Sequence, residues 1–222
     1  MLILMIIAPF LCGIVFKFLI PFLEGFISNK FGVSKILTPY FRTLDSFLVF
    51  LAPCLICIVA SFLILEEFDD KVSPYVFVTP IGFSGYIFAR LIIPAIFAFI
   101  LSFIIIMIFN LSGISILLGI ILATIGTLYA IGTTLVVVAL ANNKVEGLAV
   151  TKLTGISFLG ILVPIFVEGK IQILFFLLPS FWLGKVSMAK ETTSLMLCAL
   201  AGIGISFIWI SIFYNKFKRR LG

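Results

Sequence analysis

Hydrophobic positions in this chain run together for about twenty residues at a time, and polar residues collect in the gaps between the runs. About 20 apolar residues cross a hydrocarbon core of about 30 Å as one helix. The pattern therefore predicts an all-α polytopic membrane protein: six spans in a single transmembrane domain covering residues 1–222. The runs fall at 3–23, 46–65, 85–109, 114–141, 153–167 and 194–214. A further apolar piece, 173–183, is too short to cross alone and predicts a re-entrant or interfacial segment after the fifth span. Trp182 would anchor it at headgroup level.

The gaps predict the connections. Residues 24–45 read as a charged loop with a short interfacial helix near 37–41, and 110–113 as a tight turn that makes spans three and four a hairpin. Residues 66–90 form an acidic island that opens with Glu66, Glu67, Asp69 and Asp70. Within it, Ser73 before Pro74 reads as a helix cap with proline at the first helical position. Thr79-Pro80 ends that helix, because the residue before a proline is pushed out of the helical region. Ser84 then caps the third span, and Arg90, one to two turns inside it, is placed to pair with the acidic cluster or to snorkel. Residues 142–152 form a second polar island. The fifth span is short and carries Pro164, and a backbone broken at membrane depth survives only against protein or a water-filled cavity. This marks residues 164–182 as the stretch that lines a pathway.

Composition agrees: 63% of residues are hydrophobic, 11% charged, and the mean hydropathy is +1.38, outside the range of soluble domains. The net charge of +6 points to membrane lipid rather than nucleic acid, because Lys216, Lys218, Arg219 and Arg220 directly follow the last span. That tail predicts cytoplasmic termini, with both polar islands on the same face. The opening residues lack the features of a cleavable signal and read as a retained span. Lys17, a cation inside span one, either snorkels to the interface or meets a partner.

Candidate chemistry is sparse. The sequence contains no histidine, which rules out histidine-based metal sites and triads, and no phosphate-cradling G-x-x-x-x-G-K-[ST] loop. No catalytic residue, metal site or cofactor motif is assigned. Cys54 and Cys57 have redox-motif spacing without the polar surround that activates a thiol, and with Cys12 and Cys198 they read as small hydrophobes. All nine acids fall at span ends or in loops, which disfavours an ion-coupled carrier.

Several motifs occur in an order that carries a resemblance: Ala8-Pro9-Phe10, Leu65-Glu66-Glu67 with Asp70, Val78-Thr79-Pro80, Ser84-Gly85-Tyr86 with Arg90, Asn142-Asn143-Lys144-Val145-Glu146-Gly147 with Lys152, and Leu177-Leu178-Pro179-Ser180-Phe181-Trp182. Over nearly its whole length the chain resembles the permease subunit of type-2 ATP-binding-cassette (ABC) exporters, and most closely the small bacterial fluoroquinolone-export-like permeases. The resemblance implies a multi-pass permease of the bacterial plasma membrane that pairs with a second copy or a related permease and binds two separate ABC ATPase subunits. It would export hydrophobic or amphipathic compounds, whether drug, peptide or lipid. ATPase coupling would fall to a helix over 67–79, with Glu66, Glu67, Phe68, Asp70, Tyr75, Val76, Phe77, Thr79, Pro80 and Arg90 at the contact, and Lys144, Glu146 and Lys152 supplying a smaller one. Pro164, Pro179 and Trp182 would belong to an extracellular gate. The sequence departs from the family pattern in beginning almost at the first span and in placing Pro74 inside the coupling helix. Two other classes fit the same pattern: a non-transporting immunity or sensory module, and an ATP-independent channel or scramblase.

Overall fold

The computed structural model describes residues 2–31, 37–72, 75, 82–189 and 191–221. Among these residues the fold is entirely helical. The first span runs through α1 (Leu2–Ile14), a π-helical turn (Val15–Leu19) and α2 (Ile20–Phe31). After a 3-10 turn (Thr38–Tyr40), α3 (Phe41–Asp69) forms the second span. The third comprises α4 (Gly82–Ile87), a π-helical turn (Phe88–Ile92) and α5 (Ile93–Phe109), and α6 (Ile116–Leu140) is the fourth. The fifth begins as α7 (Lys144–Ser157), tightens to a 3-10 stretch (Phe158–Leu162) and ends in α8 (Val163–Phe166). A 3-10 stretch (Gly169–Phe175) and α9 (Pro179–Met188) follow before α10 (Thr192–Leu221). Six of these helices are long and apolar enough to cross a membrane.

Helices α3 and α6 are the interior pair: 61% of the apolar window of each is buried, against 6% for the first span. Leu48, Val49, Phe50 and Ala52 of α3 are wholly buried, as are Leu122, Ala123 and Ile125 of α6. Two hydroxyls tie the interior pair together and to α5 within the apolar region. Ser102 of α5 donates to the Val49 carbonyl at 2.6 Å, and Thr134 of α6 to the Cys57 carbonyl at 2.9 Å. Cys54 and Cys57 lie a turn apart on α3 and belong to the packing, as expected of small hydrophobes.

The charged groups bound an apolar slab. Asp45 is fully buried at one end of α3, where its carboxylate accepts from the Leu111 and Ser112 amides and the Ser112 hydroxyl, holding the 110–113 turn against α3. Glu66 stands at the other end, roughly 30 Å away at 1.5 Å per helical residue, the thickness of a hydrocarbon core. Lys17 lies near the middle of the first span. Its ammonium donates to the Ile108 carbonyl at 2.6 Å, so the odd cation of the first span neutralises the negative C-terminus of α5.

Several boundaries differ from the sequence expectation. The second span begins at Phe41 rather than residue 46, so Asp45 is a buried helical residue and not the end of a loop. The third span covers 85–109 as expected, but its helix starts earlier, at Gly82, whose φ of +59° suits a residue without Cβ, so that position 84 falls within the helix. The fifth begins at Lys144, so most of the second polar island is its first two turns. Lys185 lies within α9, with its ammonium 5.6 Å from the Phe181 ring centroid. The short helix predicted after Ser73 falls outside the described residues, apart from Tyr75.

Candidate functional site

Four carboxylates at the C-terminus of α3 face the negative end of a 29-residue helix. This placement is unfavourable unless cations arrive from elsewhere. They come from two other spans. Arg90, in the π-helical turn before α5, pairs with Glu67, whose second oxygen accepts from the Tyr86 hydroxyl at 2.7 Å. Tyr86 and Arg90 are four residues apart and share a helix face, so one carboxylate clamps two turns of the third span. Glu67 is only 16% exposed and Arg90 43%, which makes this the better shielded of the two ion pairs.

The second set joins α3 to α7. Lys144 pairs with Glu66 at 2.8 Å, and its backbone amide donates to Asp69 at 3.1 Å. Asp69 thereby caps the N-terminus of α7, where its charge also complements the helix dipole. The α7 start is closed internally as well. Asn143 accepts from the Glu146 amide at 2.8 Å, and the Glu146 carboxylate accepts from the Asn142 amide at 2.7 Å. This is a variant of the capping box, in which the acidic side chain reaches the residue before the cap.

The turn that releases the chain from α3 is equally well defined. Lys71 takes φ +55°, its amide donates to the Phe68 carbonyl, and the Val72 amide donates to that of Glu67. These two bonds make a Schellman motif, with lysine at the left-handed position that glycine usually fills. Phe68 packs on Phe217 of α10, ring centroids 6.1 Å apart, so a fourth span joins the same end of the bundle.

The structure thus brings together Glu66, Glu67, Phe68, Arg90 and Lys144 from the expected coupling residues. Glu146 contributes only within the α7 cap. Asp70 is exposed, Lys152 is exposed about two turns further along α7, and Tyr75 is 74% exposed beyond the Schellman turn. Val76, Phe77, Thr79 and Pro80 lie outside the described residues. Pro164, Pro179 and Trp182 lie apart from this cluster, with Trp182 against Gly202 inside α10 rather than at a helix end. Pro179 is buried at the start of α9, and the Trp182 indole donates to the Phe176 carbonyl at 2.8 Å. Tyr86 and Asp69 are the members that sequence reasoning passed over as contacts. The i, i+4 spacing of Tyr86 and Arg90 was the available signal for the first, and Asn-x-x-Glu at 143–146 announced the helix that Asp69 caps.

A six-span helical bundle with an ion-paired polar cluster at one end is the architecture of a multi-pass membrane protein. The family model described as "Fluoroquinolones export permease protein Rv2686c-like" matches residues 1–214, and the chain belongs to that family. Two curated relatives from Mycobacterium tuberculosis are named fluoroquinolones export permease proteins: MT2760 from strain CDC 1551 / Oshkosh and Rv2686c from strain ATCC 25618 / H37Rv. Each is 24% identical over 233 residues, covering 99% of this chain and 88% of the relative. No solved structure matches the chain significantly.

Proposed function

We propose that this chain is the membrane subunit of an ATP-driven ABC exporter for hydrophobic or amphipathic compounds, and that a separate ATPase docks where α3 ends. The observation that carries the reading is the double linkage of α3: Glu67 holds the third span through Arg90 and Tyr86, while Glu66 and Asp69 hold the fifth through Lys144. A push on the segment that follows Asp70 would be transmitted to three spans at once, which is what a mechanical input requires. Burial of exposed Tyr75 with Phe77 would supply the aromatic anchor of the contact, and Asp70 a charge for basic groups on the ATPase. Both termini and this end of the bundle then face the cytoplasm, and Pro164, Pro179 and Trp182 lie toward the exit. A second permease, identical or related, would close the pathway.

The test is co-purification. The full chain, expressed with the ATPase encoded beside it, should retain that ATPase through affinity purification, and Tyr75→Ala with Phe77→Ala should lose it while remaining monodisperse. Full retention by the double variant would refute the docking site. Substituted-cysteine labelling in intact cells supplies the orientation, since a cysteine at Asp70 must be shielded from an impermeant reagent.

A further inference from the structure

At the end opposite the acidic cluster, a cavity of about 290 Å³ opens between the start of α3, the end of α8 and the end of α9. Its wall combines Tyr40, Ile165 and Met188 with three polar residues, Arg42, Thr43 and Ser187. Arg42 is part-buried and donates through Nη1 to the Ala189 carbonyl at 3.1 Å, which leaves most of its five N–H groups uncommitted. Among the described residues no carboxylate pairs with it. Asp45, one turn further on, is already occupied by Leu111 and Ser112. Lys185, also on α9, is turned over the Phe181 ring, and Glu191 is exposed beyond the helix.

Thr43 adds a second, independent observation. The residue is only 6% exposed and lines the cavity, and its hydroxyl makes no hydrogen bond among the described residues, so the oxygen is open to the cavity rather than sealed in the packing. The positive end of α3 points the same way. Depth completes the case. Arg42 lies one turn outside Asp45, at one edge of the roughly 30 Å apolar slab, and hence where headgroups meet hydrocarbon. A guanidinium with free N–H groups, a hydroxyl open to the cavity and an apolar aromatic wall at that depth match one kind of molecule.

We infer that this cavity binds an amphiphile with a single anionic oxygen group, phosphate or carboxylate, held by Arg42 and Thr43 while its apolar body lies along Tyr40, Ile165 and Met188. The inference is independent of ATPase docking, since it concerns the other end of the bundle.

The experiment titrates the purified full chain in neutral maltoside micelles with dodecyl phosphate, dodecanoate and uncharged dodecanol, read by calorimetry. The two anions should bind saturably and more weakly at high salt, while dodecanol should give only micelle partitioning. Arg42→Gln, which keeps a donor for the Ala189 carbonyl, should weaken anion binding at least about tenfold, or about 1.4 kcal/mol. Thr43→Val should weaken it less, and Lys170→Gln not at all. Equal binding by wild type and Arg42→Gln, or dodecanol binding as tightly as the anions, overturns the site. Should Arg42→Gln aggregate, the Thr43→Val result and the dodecanol comparison decide alone: loss with Thr43→Val and no dodecanol binding uphold it, anything else overturns it. Native mass spectrometry then separates the sources. A phospholipid retained by wild type and absent from Arg42→Gln assigns a resident lipid headgroup, whereas none retained assigns a freely exchanging amphiphile.

Discussion

The broken end of the fifth span and the short helix that follows it meet backbone to backbone, and Gly184 is where that contact is tightest. A Cβ at Gly184 would come well within 3.0 Å of the Ile161 carbonyl oxygen and stand 3.0 Å from Cγ of Pro164. A flexible side chain could swing aside, but a carbonyl in a 3-10 stretch cannot, and Ile161 itself is fully buried. Gly184→Ala therefore forces α9 away from the 158–162 segment. Overpacking of this kind costs about 1–3 kcal/mol, and an immovable obstacle argues for about 3. The better helix propensity of alanine returns about 1 kcal/mol, leaving a net loss of about 2. Gly204 of α10 is the control, because its Cβ would meet nothing within 4 Å. Gly204→Ala should gain about 1 kcal/mol from propensity alone. The two variants should thus separate by about 3 kcal/mol, more than a hundredfold in the folding equilibrium. Equilibrium unfolding in mixed micelles, followed by the combined fluorescence of Trp182 on α9 and Trp209 on α10, measures the difference. If both alanines shift the midpoint in the same direction, the close approach is not what holds this segment in place.

Other substitutions probe the two polar ends and the apolar middle. Arg90→Ala should cost at most about 1 kcal/mol, because the pair is partly exposed and Glu67 keeps the Tyr86 hydroxyl; Glu67→Ala should cost more by releasing both partners, and a double-mutant cycle of Glu67 with Tyr86 should show coupling. Asp45→Ala should be the most damaging of the polar changes, about 1–3 kcal/mol, since it takes the acceptor from two part-buried amides and the Ser112 hydroxyl; faster hydrogen exchange at Leu111 and Ser112 is its signature, and unchanged exchange would contradict the assignment. Lys71→Gly should stabilise by up to about 1 kcal/mol, as glycine removes the left-handed penalty at φ +55°; a lower melting temperature would mean that Lys71 makes a compensating contact. Ser102→Ala should cost only about 0.6 kcal/mol despite its 2.6 Å bond, because hydroxyl bonds between membrane helices are weak on average; a loss above about 2 kcal/mol would show that the bond is structurally essential.

What the sequence determined by itself was the set of spans. A bilayer offers no water to the backbone, so each apolar run of sufficient length must be a helix, and hydropathy alone recovers all six and the broken return at 173–183. Proximity along the chain was also readable: Arg90 could be expected near the acidic cluster because it lies only one to two turns into the next span. Only the tertiary structure decided which polar group meets which. Asp45 looked like the last residue of a loop, yet burial beneath the 110–113 turn makes it a cap, because the partner amides lie in a distant part of the sequence. Lys144 seemed to belong to a connection, yet it starts the fifth span because Asp69 of α3 satisfies its amide. Tyr86 bonds Glu67 only because α3 and α4 present those faces to each other. The physical reason is common to all three. Hydrophobicity acts along the chain and fixes where a helix crosses, whereas rotation about the helix axis is fixed by packing between helices, and it is rotation that brings a carboxylate to its donor.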